Sequence, residues 1–213
     1  MPLPTSKYLK RIDMTITKIV ITGGPCAGKT TALAHVKAYF TARGYTVLTV
    51  AETATELISG GVSPWSCGSR LEYQTCQLTL QLEKERVFEA AAKTMGDKPV
   101  LIVCDRGAMD NKASMTDEDF DAMLRRLDVD EASLCRRYGA VFHLVSAAKG
   151  PLDAYTTANN SARSESAAEA AALDDRIRPA WHAHQHYHTI PATADFTEKM
   201  SLLLSQIEAY LGV

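Results

Sequence analysis

The strongest constraint on this chain is eight residues long. Gly23-Gly24-Pro25-Cys26-Ala27-Gly28-Lys29-Thr30 fits the pattern G-x-x-x-x-G-K-[ST] in full, and a loop of that pattern works in one setting, between the end of a buried strand and the start of a helix. The flanks supply that setting. Lys18–Thr22 is a β-branched run, and Leu33, Val36 and Phe40 recur at helical spacing within residues 29–43. Glycines let such a loop wrap so that its backbone N–H groups face inward, and the helix N-terminus adds partial positive charge. Lys29 is then expected to span the β- and γ-phosphates of a bound nucleotide and Thr30 to ligate Mg2+, with Thr31 following on the helix. Cys26, beside Lys29 and a helix N-terminus, reads as a small residue that fits the turn, with a redox-active thiol as the alternative.

The rest of the chain alternates strand and helix signals. Thr46–Val50, Val100–Cys104 and Ala140–Val145 are short apolar runs of the kind buried on both faces of a parallel sheet. Residues 68–94 read as a long helix with Leu71, Leu78, Leu82 and Val87 on one face and Glu83, Lys84, Glu85 and Arg86 outward. Residues 115–131 carry seven acids and two arginines, with Phe120, Met123, Leu124 and Leu127 marking an apolar face, which predicts a solvated helix packed on the body. Residues 161–178 read as a helix, and Pro179 either kinks it or opens a second helix through Trp181. His188–Ile190 reads as a last strand and Phe196–Leu211 as a closing amphipathic helix. The alternation argues for α/β layers, with residues 1–14 as a loose tail and 15–213 as one domain.

Composition removes several functions. With 23 Lys+Arg against 25 Asp+Glu and a net charge of −2, no basic excess is available for a phosphate backbone, so nucleic acid is not the expected partner. No apolar run approaches the roughly 20 residues of a membrane span, and a cytoplasmic location is expected. The five cysteines never form a CxxC pair, so they read as reduced thiols rather than disulfides or zinc ligands. His182, His184, His186 and His188 have metal-like spacing, but no cysteine or carboxylate completes the set, and they read as surface histidines with adventitious metal affinity. Asn111-Lys112-Ala113-Ser114 begins like a guanine-recognition motif but ends in serine.

Two acids lie where strands should end, the edge at which α/β sheets collect ligands. Asp105 closes the Val100–Cys104 run, where it would hold Mg2+ through water or cap a turn. Glu52 follows Thr46–Val50, where it would orient or deprotonate an attacking hydroxyl, sit in an N-cap region, or be solvated. Arg70, Tyr73, Gln74 and Gln77 would either frame an acceptor pocket or form the wet face of their helix.

Taken together, residues 23–31 (GGPCAGKTT), 50–53 (VAET), 103–107 (VCDRG) and 159–181 resemble the P-loop nucleotide and nucleoside kinases. More narrowly they resemble the NadR-like branch that includes the ribosylnicotinamide kinase domain and the GTP-binding TRPL translocation defect protein. The resemblance covers about residues 17–211. It implies a three-layer fold with a five-stranded parallel sheet and a helical lid, here about 155–180. It also implies Arg163 as the lid arginine on the transferring phosphates, with Arg176 and Arg178 behind it, and Arg106 facing the acceptor or a phosphate. A base loop would lie near 191–195, with Thr193 where relatives often have asparagine, leaving ATP and GTP both open. The implied activity is Mg2+-dependent transfer of a γ-phosphoryl group to a small nucleoside- or nucleotide-like acceptor. The alternative is a slow nucleotide-dependent regulatory or trafficking protein, for which peripheral lipid binding is open. Without the resemblance, Glu165, Glu169, Asp174, Arg176 and Arg178 read as surface helix pairs.

Overall fold

The computed structural model describes residues 15–149 and 166–213. Five strands form one parallel sheet: β1 (Ile16–Thr22), β2 (Thr46–Val50), β3 (Val100–Asp105), β4 (Ala140–Leu144) and β5 (Tyr187–Ile190), in the order β2-β3-β1-β4-β5. The central strands β1, β3 and β4 are almost wholly buried because helices cover both faces, which is why their sequences are continuously apolar. The architecture is the expected three-layer α/β sandwich.

One layer is built on α1 (Lys29–Ala42) and α7 (Phe196–Leu211), whose Leu33, Val36, Phe40, Leu203 and Ile207 pack on Ile19, Ile21, Val103 and Phe142. The other holds α3 (Arg70–Ala92), α4 (Asp117–Leu127), α5 (Glu131–Arg136) and α6 (Ala167–Ala180), packed with Val20, Ile102 and Val141. The short α2 (Thr53–Ser59) links β2 to α3. The acidic segment behaves as its pattern demands: α4 buries Phe120, Met123 and Leu124, begins on three acids and ends on Arg125 and Arg126, complementing the helix dipole at both ends.

Three sequence expectations change. On α3 the buried face runs through Tyr73, Gln74, Leu78, Gln81 and Glu85, while Val87 is half exposed. Glu85 is fully buried rather than outward, because Lys18 from β1 (2.8 Å), Arg137 (3.1 Å) and the Tyr138 hydroxyl (2.6 Å) surround its carboxylate. A buried charge is tolerable only with such partners. Asp174, read as a surface acid, is 2% exposed. Pro179 opens no second helix: it lies in the last turn of α6, and Trp181 caps the end by donating its N–H to the Arg178 carbonyl. Among the described residues no helix is long and apolar enough to cross a membrane.

Candidate functional site

β1 delivers the glycine-rich loop to the C-terminal edge of the sheet. Gly23 (φ 140°) lies so close to the Leu144 carbonyl that a Cβ has no room, and a Cβ on Gly28 (φ 86°) would stand 2.5 Å from the Phe196 ring. Both positions therefore need glycine. Lys29 is buried and bends back so that Nζ donates to the carbonyls of Gly23 (3.0 Å) and Gly24 (2.9 Å).

The next carbonyls are held by the surrounding elements. Pro25 accepts from the Ser146 hydroxyl at 2.6 Å, Cys26 from the Ala147 N–H at 3.4 Å and Ala27 from Lys199 Nζ at 3.0 Å. Across a planar trans peptide the N–H points opposite to the C=O. Fixing these carbonyls directs the following amides, of Cys26, Ala27 and Gly28, to the other side of the loop, which is the arrangement an anion requires.

Asp174 on α6 secures the start of the loop. Its Oδ1 accepts from the Gly24 N–H (2.7 Å) and the Ser146 N–H (3.3 Å) and pairs with His143 Nε2 (3.0 Å), while Oδ2 faces Lys149 Nζ at 3.1 Å. Burial pushes this carboxyl up in pKa, but His143, the Gly24 amide and Lys149 outweigh it and hold the group at about 2. Asp110 ties the neighbouring elements together. It accepts from Thr22 Oγ1 (2.8 Å), Trp181 Nε1 (2.7 Å) and the Gly107 N–H (3.1 Å), joining the ends of β1, β3 and α6.

At the end of β3 the backbone turns through the left-handed region at Arg106 (φ 70°), an uncommon conformation for a side-chain-bearing residue. The turn lets Arg106 Nε pair with Glu52, which also accepts from Thr55 Oγ1 at 2.6 Å. Glu52 thus occupies the N-cap position of α2 without capping it. Burial raises its pKa, but the charges of Arg106 and Lys29 dominate and hold it at about 2. Asp105 differs: burial pushes its pKa up, Lys29 opposes this and Glu52 adds to it, and Oδ1 is buried without a hydrogen-bond partner among the described residues. An orphaned carboxylate oxygen beside Lys29, together with Thr30 on the exposed first turn of α1, is a donor set of hard oxygens suited to Mg2+.

Gln74 and Tyr73 lie on the buried side of α3, so Gln74 does not belong to a wet face; among the described residues the Tyr73 hydroxyl and Gln74 Oε1 have no hydrogen-bond partner. Burial, then Glu52, keeps the Tyr73 hydroxyl protonated by raising its pKa. Gln77 donates to Asn111, and exposed Arg70 donates to the Ser114 carbonyl at 3.1 Å. Asn111 is buried against the Ala108 carbonyl and Lys112 pairs with Glu131, so the guanine-motif look-alike is structural. The four histidines diverge: His182 meets the Pro179 carbonyl, His184 the Tyr138 carbonyl, His186 the Tyr210 ring and His188 the Phe142 ring. Among the described residues no cluster of three or more His, Cys, Asp or Glu could hold a metal, and none of the five cysteines forms a disulfide.

A family model described as AAA domain matches residues 18–199, the span from the middle of β1 to the first turn of α7. The chain belongs to this AAA domain family. Membership makes it a nucleotide-binding P-loop protein. No curated protein matches the chain. In this AAA domain, Glu52 and Asp105 feel the charges of Lys29 and Arg106. Arg163 and the first part of the expected lid lie outside the described residues, while Arg176 and Arg178 stand exposed on α6. Thr193, in the expected base loop, donates to the Asp195 carbonyl, and Asp195 caps α7 through the Thr197 N–H. Sequence reasoning missed Asp110, Asp174, Ser146 and Lys199. Asp174, Ser146 and Lys199 act across the fold, and Asp110 also has a local role, accepting from the Gly107 N–H three residues earlier.

Proposed function

We propose that this AAA domain is a Mg2+-dependent phosphotransferase that moves the γ-phosphoryl group of ATP or GTP onto a small nucleoside- or nucleotide-like acceptor. The observation that carries this reading is the wall beside Lys29. Glu52 and Arg106 are paired there, the Tyr73 hydroxyl feels the Glu52 charge, and on the buried side of α3 Tyr73 and Gln74 keep polar groups that have no partner among the described residues. Such a wall offers polar contacts to a second small molecule, and leaving polar groups unpaired costs about 1–3 kcal/mol each.

In this reading the loop amides and Lys29 hold the β- and γ-phosphates. Bound at Thr30 and Asp105, Mg2+ would neutralise charge on the phosphoryl oxygens. Glu52 stays ionised and accepts a hydrogen bond from the attacking hydroxyl. Its low pKa makes it a weak base, which suffices because phosphoryl transfer asks mainly for positioning and charge stabilisation. Arg106 fixes Glu52 and lends positive charge, Tyr73 and Gln74 meet the polar edge of the acceptor, and Arg70 stands at the rim. Arg163 is the arginine that would act on the transition state.

Purified protein with Mg2+ and ATP or GTP, screened against nucleosides, nucleotides, nicotinamide riboside and other small alcohols, is expected to release ADP or GDP in response to one acceptor class. Lys29→Ala should lower that turnover by about a hundredfold or more. Tight nucleotide binding with no acceptor stimulation across the panel would instead make it a regulatory or trafficking protein.

A further inference from the structure

Lys199 is an unusual residue to find where it is. It lies in the first turn of α7, is 4% exposed, and no carboxylate forms an ion pair with it among the described residues. Its Nζ donates to two backbone carbonyls, Ala27 at 3.0 Å and Val145 at 2.7 Å. Burying an amine costs free energy unless the group is hydrogen-bonded, so the two carbonyls are what keep it there. Burial lowers its pKa to about 8, with Asp174 opposing, and a neutral amine retains enough N–H groups for both contacts.

The Ala27 carbonyl shares its peptide plane with the Gly28 N–H. With the peptide trans, tying the oxygen toward α7 sends that N–H in the opposite direction. Gly28 needs this help more than its neighbours. It has left-handed φ, and without a side chain many other orientations of the 27–28 peptide are open to it. The Phe196 ring, three residues earlier on the same helix, closes the space beneath Gly28. The first turn of α7 therefore grips the loop twice, by a ring below Gly28 and by an amine on the carbonyl before it. We propose that Lys199 is a positioning residue of the nucleotide site, fixing the Ala27–Gly28 peptide so that the Gly28 amide faces the bound phosphates. The inference rests on nucleotide binding and not on the identity of any acceptor.

The test is a titration of 15N-labelled protein with MgATP and with MgGTP, for wild type, Lys199→Met and Lys199→Arg, with thermal melts of all three. Methionine keeps the length of the side chain and removes its donors; arginine keeps donors. In wild type the Gly28 amide should be among the resonances moved most, to lower field, by the nucleotide that binds. Lys199→Met should melt as a folded protein, bind that nucleotide at least tenfold more weakly and lose the Gly28 shift, and Lys199→Arg should recover part of both. Wild type that binds nucleotide while its Gly28 amide stays unmoved overturns the proposal, whatever the variants do. So does Lys199→Met binding within twofold of wild type with the shift intact. Wild type that binds neither nucleotide overturns both the proposal and the nucleotide site it depends on, whereas failure of the acceptor screen alone leaves the Lys199 result standing.

Discussion

Behind the glycine-rich loop, Asp174 gathers His143, Lys149 and the amides of Gly24 and Ser146 around one buried carboxylate. On the side of β3 and α3, the Tyr73 hydroxyl, Gln74 Oε1 and Asp105 Oδ1 are buried and have no partner among the described residues. The same polar chemistry is satisfied in one region and unsatisfied in the other. A buried group with partners adds rigidity, while one without them is a standing cost that a ligand can remove. The difference teaches that the phosphate half of the site is assembled by folding, whereas the other half keeps polar groups for which the proposed acceptor would supply the partners.

The contrast breaks most visibly at Asp174. Asp174→Asn leaves His143 and Lys149 without their buried counter-charge, and losing one partner of a buried charged network costs about 3 kcal/mol or more. For a domain of this size that is roughly 6–12 °C in melting temperature, measurable by denaturant and thermal unfolding. Unchanged stability would mean that the cluster is not what holds the loop.

The side of β3 and α3 should respond in the other sense. Tyr73→Phe and Gln74→Leu remove groups with no partner among the described residues, so stability should stay level or rise by up to about 1 kcal/mol. The acceptor KM, once an acceptor is in hand, should rise about tenfold with kcat less affected. Loss of stability without any change in KM would show that these residues serve the core alone.

Acid provides the mildest test. In the folded chain Asp174 and Glu52 both sit at about 2, below the ordinary carboxylate range near 4. Between those values the unfolded chain binds more protons than the folded one. The stability these groups contribute is therefore complete above about pH 4 and is lost as pH falls toward 2. Unfolding free energies measured from pH 6 to pH 2 should fall less steeply for Asp174→Asn than for wild type. Parallel curves would remove Asp174 from the acid response.

Much of this was legible along the chain. The strand runs and the 29–43 helix follow from local period and β-branching, and the loop motif carries its own context. Asp105 and Glu52 were readable as strand-end acids. Glu85 and Asp174 were not, because their local surroundings resemble any solvated helix face. What buries them is Lys18 or His143, residues that arrive from strands 67 and 31 positions away. Gln74 was ambiguous for the same reason: periodicity placed the face of α3 from its leucines, and packing against β3 and the Ala108–Ser114 turn rotated it onto Tyr73 and Gln74.

The sequence by itself determined the α/β layering and the position of the phosphate loop, since both depend on short-range patterns of apolar residues and glycines. Only the tertiary structure decided which way the loop's amides point and which polar groups stay unpaired. Ser146, Asp174 and Lys199 lie more than a hundred residues beyond the loop they hold, and a hydrogen bond made across the fold leaves no trace in local spacing.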